Sequence, residues 1–365
     1  MTANMAILQT TEITEQRDIS QVDIAQSQSA RPLPSPQTLK SELLATDALL
    51  QQVAGHRREI EAILNGTDDR LMVITGPCSL HDPEAALEYG RKLKMLQAQV
   101  EDKMLLVMRC YFEKPRTTVG WKGMLYDPSL DGSHDMETGL KSARALLLEL
   151  TGLGLPVATE ALNPLAMPYL SDLLSWVAIG ARTSESQIHR EMVSGLGVPT
   201  GFKNGTDGSL EIALNGIKSA MSPHSFLGMD GQGQIAMIET SGNPDAHVVL
   251  RGGKGGPNYD ADNVASCEAA LSKAGLHAAI VIDCSHENSG KDHARQGLVF
   301  ENVVAQLTVR KTSAIKGVML ESFLKEGRQN LDKDDLEYGV SITDACINWE
   351  ETASLILSAH QSLCP

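Results

Sequence analysis

The chain has 365 residues, 42% of them hydrophobic and 21% charged, enough apolar content for one large core and too much for wholesale disorder. Its formal net charge of -15 weighs against nucleic acid or an anionic membrane as the main partner. Six cysteines without a C-x-x-C pair do not read as a disulfide framework, and neither a secretory apolar segment nor a run of about 18 apolar residues is present, so a cytoplasmic protein is expected.

Residues 1 to about 38 are polar and end in R-P-L-P-S-P; Ile19, Val22 and Ile24 hint at a short strand within this arm. From Thr38 to Leu64 the apolar spacing predicts one helix, closed by Asn65-Gly66. Short apolar runs then alternate with amphipathic stretches. The expected strands are Leu71–Cys78, Met104–Phe112, Pro156–Leu162, Ala178–Arg182, Val198–Asn204, His247–Gly252, Ala278–His286 and Ile315–Ser322. Helices are expected between them, for instance Pro83–Val100 and Met136–Leu153, and a last one over Ile342–Leu363. Eight such units predict an α/β fold, a (β/α)8 TIM barrel, ahead of an open doubly wound sheet. A Gly-rich segment at 225–242 reads as a β-hairpin inserted after the fifth βα unit, and Leu324–Ser341 as an irregular insertion. The expected division is an N-terminal arm and helix (1–67) and a catalytic barrel (68–365).

Barrel active sites lie at the C-terminal ends of the strands. There the sequence sets Cys78, Arg109, Glu160, Arg182, Lys203, Arg251, His286 and Glu321, with Lys114 and Arg116 just beyond the second strand and Asp344 at the start of the last helix. Singly, each has a plain explanation: an arginine at a strand end is commonly solvated, and a lone cysteine commonly buried as a small apolar group. Together, six cations on one rim of an acidic chain would repel one another unless anions bind there. Two unit charges ~4 Å apart cost about 4 kcal/mol at an effective dielectric near 20. Arg109, Lys114, Arg116, Arg182, Lys203 and Arg251 suit phosphate and carboxylate groups. Cys78, His286, Glu321 and Asp344 form a mixed S, N and O donor set suited to Mn²⁺, Fe²⁺, Co²⁺ or Zn²⁺.

The strings I-T-G-P-C-S-L-H-D (74–82), R-C-Y-F-E-K-P-R-T-T-V-G-W-K-G (109–123), A-I-G-A-R-T-S-E-S-Q (178–187), G-F-K-N-G-T-D-G (201–208), L-R-G-G (250–253), D-C-S-H-E-N-S (283–289) and S-I-T-D-A-C-I-N-W-E (341–350) resemble the class I (type Iα) 3-deoxy-D-arabino-heptulosonate 7-phosphate (DAHP) synthases. The likeness runs from about Asp68 to the C-terminus. It implies an enzyme that condenses phosphoenolpyruvate with D-erythrose 4-phosphate at the head of the shikimate pathway. Residue by residue, it implies metal ligation by Cys78, His286, Glu321 and Asp344. It implies phosphoenolpyruvate binding by Arg109, Lys114, Arg182, Lys203 and Arg251, and aldose phosphate binding by the Lys114-Pro115-Arg116-Thr117 segment. Lys114 is the expected proton donor; Glu160, the acid beside the reacting water, or a metal-bound hydroxide handles that water, with Cys78 and His286 also counted in the catalytic group.

Two rival readings remain at this stage. One is the related octulosonate 8-phosphate synthases, some of which are metal-free with Asn at the place of Cys78; the cysteine and the K-P-R-T string argue against them. The other is a catalytically silent phosphosugar sensor, which would carry a damaged constellation. The resemblance further implies feedback inhibition by an aromatic amino acid and a homodimer or homotetramer. Pro164, Met167 and Gly197 are the candidate effector-site residues. Pro164 and Gly197 resemble the tyrosine-sensitive members more than the phenylalanine-sensitive ones, although Pro164 could simply end a strand and Gly197 simply cap a helix.

Overall fold

The computed structural model describes residues 31–116, 118–310 and 313–364. The strand expected around Ile19, Val22 and Ile24, and Thr117 of the substrate segment, lie outside these residues. In chain order the strands are β1 (Leu71–Gly76), β2 (Met104–Arg109), β3 (Val157–Glu160), β4 (Trp176–Ile179), β5 (Thr200–Lys203), β6 (Ser225–Met229), β7 (Ile235–Glu239), β8 (Ala246–Leu250), β9 (Ile280–Asp283) and β10 (Ile315–Glu321). The helices are α1 (Pro36–Glu42), α2 (Asp47–Asn65), α3 (Pro83–Val100), α4 (Met136–Gly152), α5 (Met167–Leu170), α6 (Gln187–Leu196), α7 (Leu210–Ala220), α8 (Ala261–Lys273), α9 (Gln296–Val309) and α10 (Trp349–Leu363).

All strands except β6 and β7 close into a parallel barrel in the order β1-β10-β9-β8-β5-β4-β3-β2. The sequence reason is visible in β1, whose run L-M-V-I-T-G is buried at every position, as a strand covered on both faces must be. Closure pairs the last barrel strand with the first, Gly76 opposite Glu321. β6 and β7 form the expected antiparallel hairpin, with Leu227 opposite Met237 and Met229 opposite Ile235. Leu227, Ile235 and Met237 are exposed on one face of it. Among the described residues no helix is long and apolar enough to cross a membrane.

Three expected elements differ in their bounds. The helix read over 38–64 is two, because the Thr46 hydroxyl accepts a bond from Leu49 N–H at 3.2 Å and starts a new helix after a break. The last helix begins at Trp349 rather than at Ile342, where Asn348 Oδ1 caps Glu351 N–H at 2.8 Å, so Asp344 lies in the loop before it. The fourth strand runs Trp176–Ile179; beyond it Thr183 and Ser184 both donate to Gly180 O at 2.9 Å in a turn that carries Arg182. The other strands stop one to three residues short of the expected ends, which leaves Cys78 in a loop and His286 at the start of a single 3-10 turn.

Alternate residues of a strand face the barrel interior. Met72, Ile74, Leu105, Val107, Ala158, Trp176, Ala178, Val249, Val281 and Met319 form one apolar cluster there, and Ile60, Ile63 and Leu64 of α2 join it, so α2 closes the floor. Trp176 fits because β5 offers Gly201 beside it: a Cβ there would stand 2.5 Å from the indole ring. One inward step further along the strands, the residues change character to Arg109, Glu160, Lys203, Asp283 and Glu321, all buried. The barrel therefore has a dry floor and an ionic upper layer.

Candidate active site and metal centre

Above that layer opens a cavity of about 800 Å³, lined by nine Lys or Arg side chains against four Asp or Glu. In a chain of net charge -15 this is a strong local inversion. The cavity gathers Arg109, Lys114, Arg116, Glu160, Arg182, Lys203, Arg251, His286, Glu321 and Asp344, all of them expected from the sequence. Lys254, Lys291 and Arg328 also line it and were not singled out from the sequence.

Arg109 is held on every side. Its guanidinium donates to Glu321 Oε1 at 2.8 Å, to Pro77 O at 3.1 Å and to Cys78 O at 3.3 Å, and lies 3.4 Å from the centre of the Tyr111 ring. Lys203 Nζ donates to Asp283 Oδ2 at 2.8 Å, and the backbone of Arg251 donates to Asn204 Oδ1 at 2.8 Å. Arg116 Nε donates to Trp121 O at 2.6 Å, which folds the Lys114–Trp121 loop back on itself. These are fixed cations, so little ordering is required of them when an anion arrives.

The donor atoms of Cys78, Glu321 and Asp344 lie within 4.8 Å of one another. Cys78 is fully buried, and burial pushes its thiol up to about 11, with Glu321 adding to the shift and Lys114 opposing it. Burial works against the Asp344 carboxylate, but Lys114 and the Cys78 thiol hold it below the usual range. Lys114 Nζ stands 2.9 Å from Cys78 Sγ and 3.8 Å from Asp344 Oδ2. A positive charge thus already sits against a thiol and two carboxylates, and this soft-plus-hard donor set fits a divalent first-row ion. His286 lines the same cavity but does not belong to this tight cluster; its Nδ1 is turned to Asp283 Oδ2 at 2.9 Å. A second group, Asp102, His360 and Cys364, is also close-set, but Asp102 and Cys364 are exposed and none of the three lines the cavity.

Asp283 is the buried site residue that reading the sequence passed over. The signal was present, since I-V-I-D is an apolar strand ending on an inward-facing charge, and the D-C-S-H string contains it. Of the candidate effector residues, Pro164 follows Asn163 at the rim where the strands end. Gly197 ends α6 at the opposite rim, at φ 62, and Met167 is buried at the start of α5.

Glu113, next to Lys114, ties the Lys114 loop to the Pro164 loop. Tyr126 OH donates to its Oε1 at 3.0 Å and Asn163 N–H to its Oε2 at 3.2 Å. Burial raises this carboxyl from its ordinary 4.5 to about 7, the Asn163 and Tyr126 bonds opposing and Glu160 adding. The stability it contributes is fully present below about pH 4.5 and is lost as pH rises through about 7. Glu113→Gln is expected to flatten the fall in stability between those values, read as urea midpoints across pH; an unchanged slope would remove Glu113 from this role.

The DAHP synthetase I family matches residues 44–356. The Tyr-sensitive phospho-2-dehydro-3-deoxyheptonate aldolase of Escherichia coli is 54% identical over 333 residues, covering 91% of this chain and 93% of that protein. The Phe-sensitive enzyme of the same organism is 50% identical over 322 residues, covering 88% and 91%. Among solved structures, phospho-2-dehydro-3-deoxyheptonate aldolase from Francisella tularensis aligns with a TM-score of 0.90 at 43% identity, covering 92% of this chain and 98% of that one.

Proposed function

The chain belongs to the DAHP synthetase I family, and from that premise we propose that it condenses phosphoenolpyruvate with D-erythrose 4-phosphate and water, releasing DAHP and inorganic phosphate. The observation that carries the reading is the cationic cavity of an acidic chain, built at the strand ends around a thiol–dicarboxylate cluster. Cys78, Glu321 and Asp344, with His286 through its other ring nitrogen, would hold a divalent ion, Mn²⁺, Fe²⁺, Co²⁺ or Zn²⁺. When bound, that ion supplies Lewis acidity toward the aldehyde oxygen of the aldose.

The side chains do the rest. Arg109, Arg182, Lys203 and Arg251 grip the carboxylate and phosphate of phosphoenolpyruvate, and Arg116 and Thr117 grip the phosphate of the aldose. This holds C3 of phosphoenolpyruvate against the aldehyde carbon, and positioning of that kind supplies a large share of the acceleration in two-substrate reactions. Lys114 stays protonated, since Cys78, Glu321 and Asp344 outweigh the effect of its burial, and it donates to the oxygen that gains charge. Glu160, facing the cavity beside Gly180, takes the proton of the water that adds at C2. The C–O bond to phosphate then breaks.

The apolar hairpin face of Leu227, Ile235 and Met237 supports a homodimer or homotetramer. The names of the relatives support an aromatic amino acid effector, and tyrosine first among them. One assay tests these points: phosphate release from the two substrates, with and without chelator, repeated with tyrosine, phenylalanine and tryptophan. Release that needs both substrates, stops on chelation and is inhibited most by tyrosine is expected. Turnover with arabinose 5-phosphate in place of the four-carbon sugar would favour the octulosonate relatives instead.

A further inference from the structure

The upper layer of the barrel holds one carboxylate that touches both halves of the site without facing the cavity. Asp283 ends β9 fully buried and pointing inward. Its Oδ2 accepts from Lys203 Nζ at 2.8 Å and stands 2.9 Å from His286 Nδ1. Its Oδ1 accepts from the Ser285 hydroxyl at 2.6 Å and from Ser285 N–H at 3.0 Å. The Ser285 hydroxyl is also 2.8 Å from His286 Nδ1. The backbone that carries this carboxylate is fixed from behind, because Asn288 Nδ2 donates to the carbonyl oxygens of Asp283 at 2.9 Å and Leu250 at 3.1 Å.

His286 reaches this position at a cost in backbone conformation. It has φ 53, a left-handed geometry uncommon for a residue with a side chain. Lys291 N–H and the Ser289 hydroxyl bind His286 O at 2.6 and 3.2 Å and hold the turn. The result turns Nδ1 to Asp283. A carboxylate can only accept, so Nδ1 carries the hydrogen and the Nε2 lone pair is free to bind an ion.

We infer that Asp283 is a positioning residue serving two clients at once: it sets the tautomer and aim of His286 for the ion, and it sets the place of the Lys203 ammonium for the substrate anion. The inference rests on the function proposed above for the cavity. It adds a prediction that this function does not contain, namely that one substitution at a residue touching neither ligand weakens both. Both clients meet the same oxygen, Oδ2, whereas Oδ1 accepts from Ser285, so asparagine turns its N–H₂ either against Lys203 and His286 or against the Ser285 donors, and in both orientations the negative charge that the two clients share is lost.

The test uses the full-length, chelator-treated protein and direct binding, so it does not depend on turnover. Mn²⁺ is titrated calorimetrically, and phosphoenolpyruvate binding to the metal-free protein is followed by tryptophan fluorescence. Asp283→Asn is expected to weaken Mn²⁺ binding about 10- to 100-fold, and phosphoenolpyruvate binding about tenfold. Combined with His286→Ala, Asp283→Asn should add almost nothing to the loss of Mn²⁺ affinity while still weakening phosphoenolpyruvate. Full Mn²⁺ affinity in Asp283→Asn, or an equal loss with and without His286, overturns the inference. If Asp283→Asn does not fold, Ser285→Ala takes its place, with a smaller loss of Mn²⁺ affinity expected only when His286 is present. Should the phosphate-release assay show no condensation while these binding losses appear, the proposed reaction fails and the positioning role stands.

Discussion

Replacing Cys78 with alanine is expected to abolish chelator-sensitive turnover, with a loss of well over 100-fold, in a protein that still folds. Outer-shell partners of metal ligands already cost 10–100-fold when removed, and Cys78 supplies the one sulfur donor of its cluster. The fold should survive because the change deletes a single buried atom, a cavity cost of about 1 kcal/mol. Lys114 loses the partner 2.9 Å from its Nζ but keeps Asp344 at 3.8 Å. Metal content after gel filtration, circular dichroism and phosphate release together check the expectation. A Cys78→Ala protein that keeps its metal and its turnover would falsify the ligand assignment. Cys78→Ser should bind softer ions least well, since it exchanges sulfur for oxygen at the same place.

Arg109→Met is expected to give the largest loss of stability among the site variants, about 3–5 kcal/mol. Arg109 and Glu321 are both almost fully buried and lie 2.8 Å apart. Removing one partner leaves an uncompensated charge inside the barrel, and it also removes the Arg109 donor from Pro77 O and one of the two donors from Cys78 O. The Glu321→Gln change in the same protein should return part of the loss, because the stranded charge is then gone. Urea unfolding of the two single variants and the double variant reads this directly. Equal and additive losses would mean that the two residues act independently.

The architecture was legible because the barrel strands are continuous apolar runs, and β1, β2 and β10 could be read almost residue by residue. The site was legible for a related reason: charged side chains close these runs at their C-terminal ends, as Arg109, Lys203 and Glu321 do, with Lys316 near the start of β10 an exception. Local capping chemistry was harder to see. Thr46 and Asn348 each restart a helix through one side-chain bond, and the apolar spacing on either side carries no mark of it. Arg182, Cys78 and His286 were placed at the right rim but on strands that end before them, because turns such as Gly180–Ser184 are built from backbone bonds that any residue can make. Asp283 was missed for the opposite reason, since its role depends on a lysine 80 positions away in the chain.

Closure of the barrel through β1 and β10 has a consequence for synthesis of the chain. Cys78 leaves the ribosome well before Asp344, which follows 266 positions later, and before Glu321. Long-range pairings of this kind form late in folding. The cluster of Cys78, Glu321 and Asp344 therefore cannot assemble until the chain as far as Asp344 has been made, and the metal capture proposed for it would have to wait until then. Until then Cys78 is a solitary thiol without its buried surroundings, so the window of oxidative damage is set by how long translation and closure take.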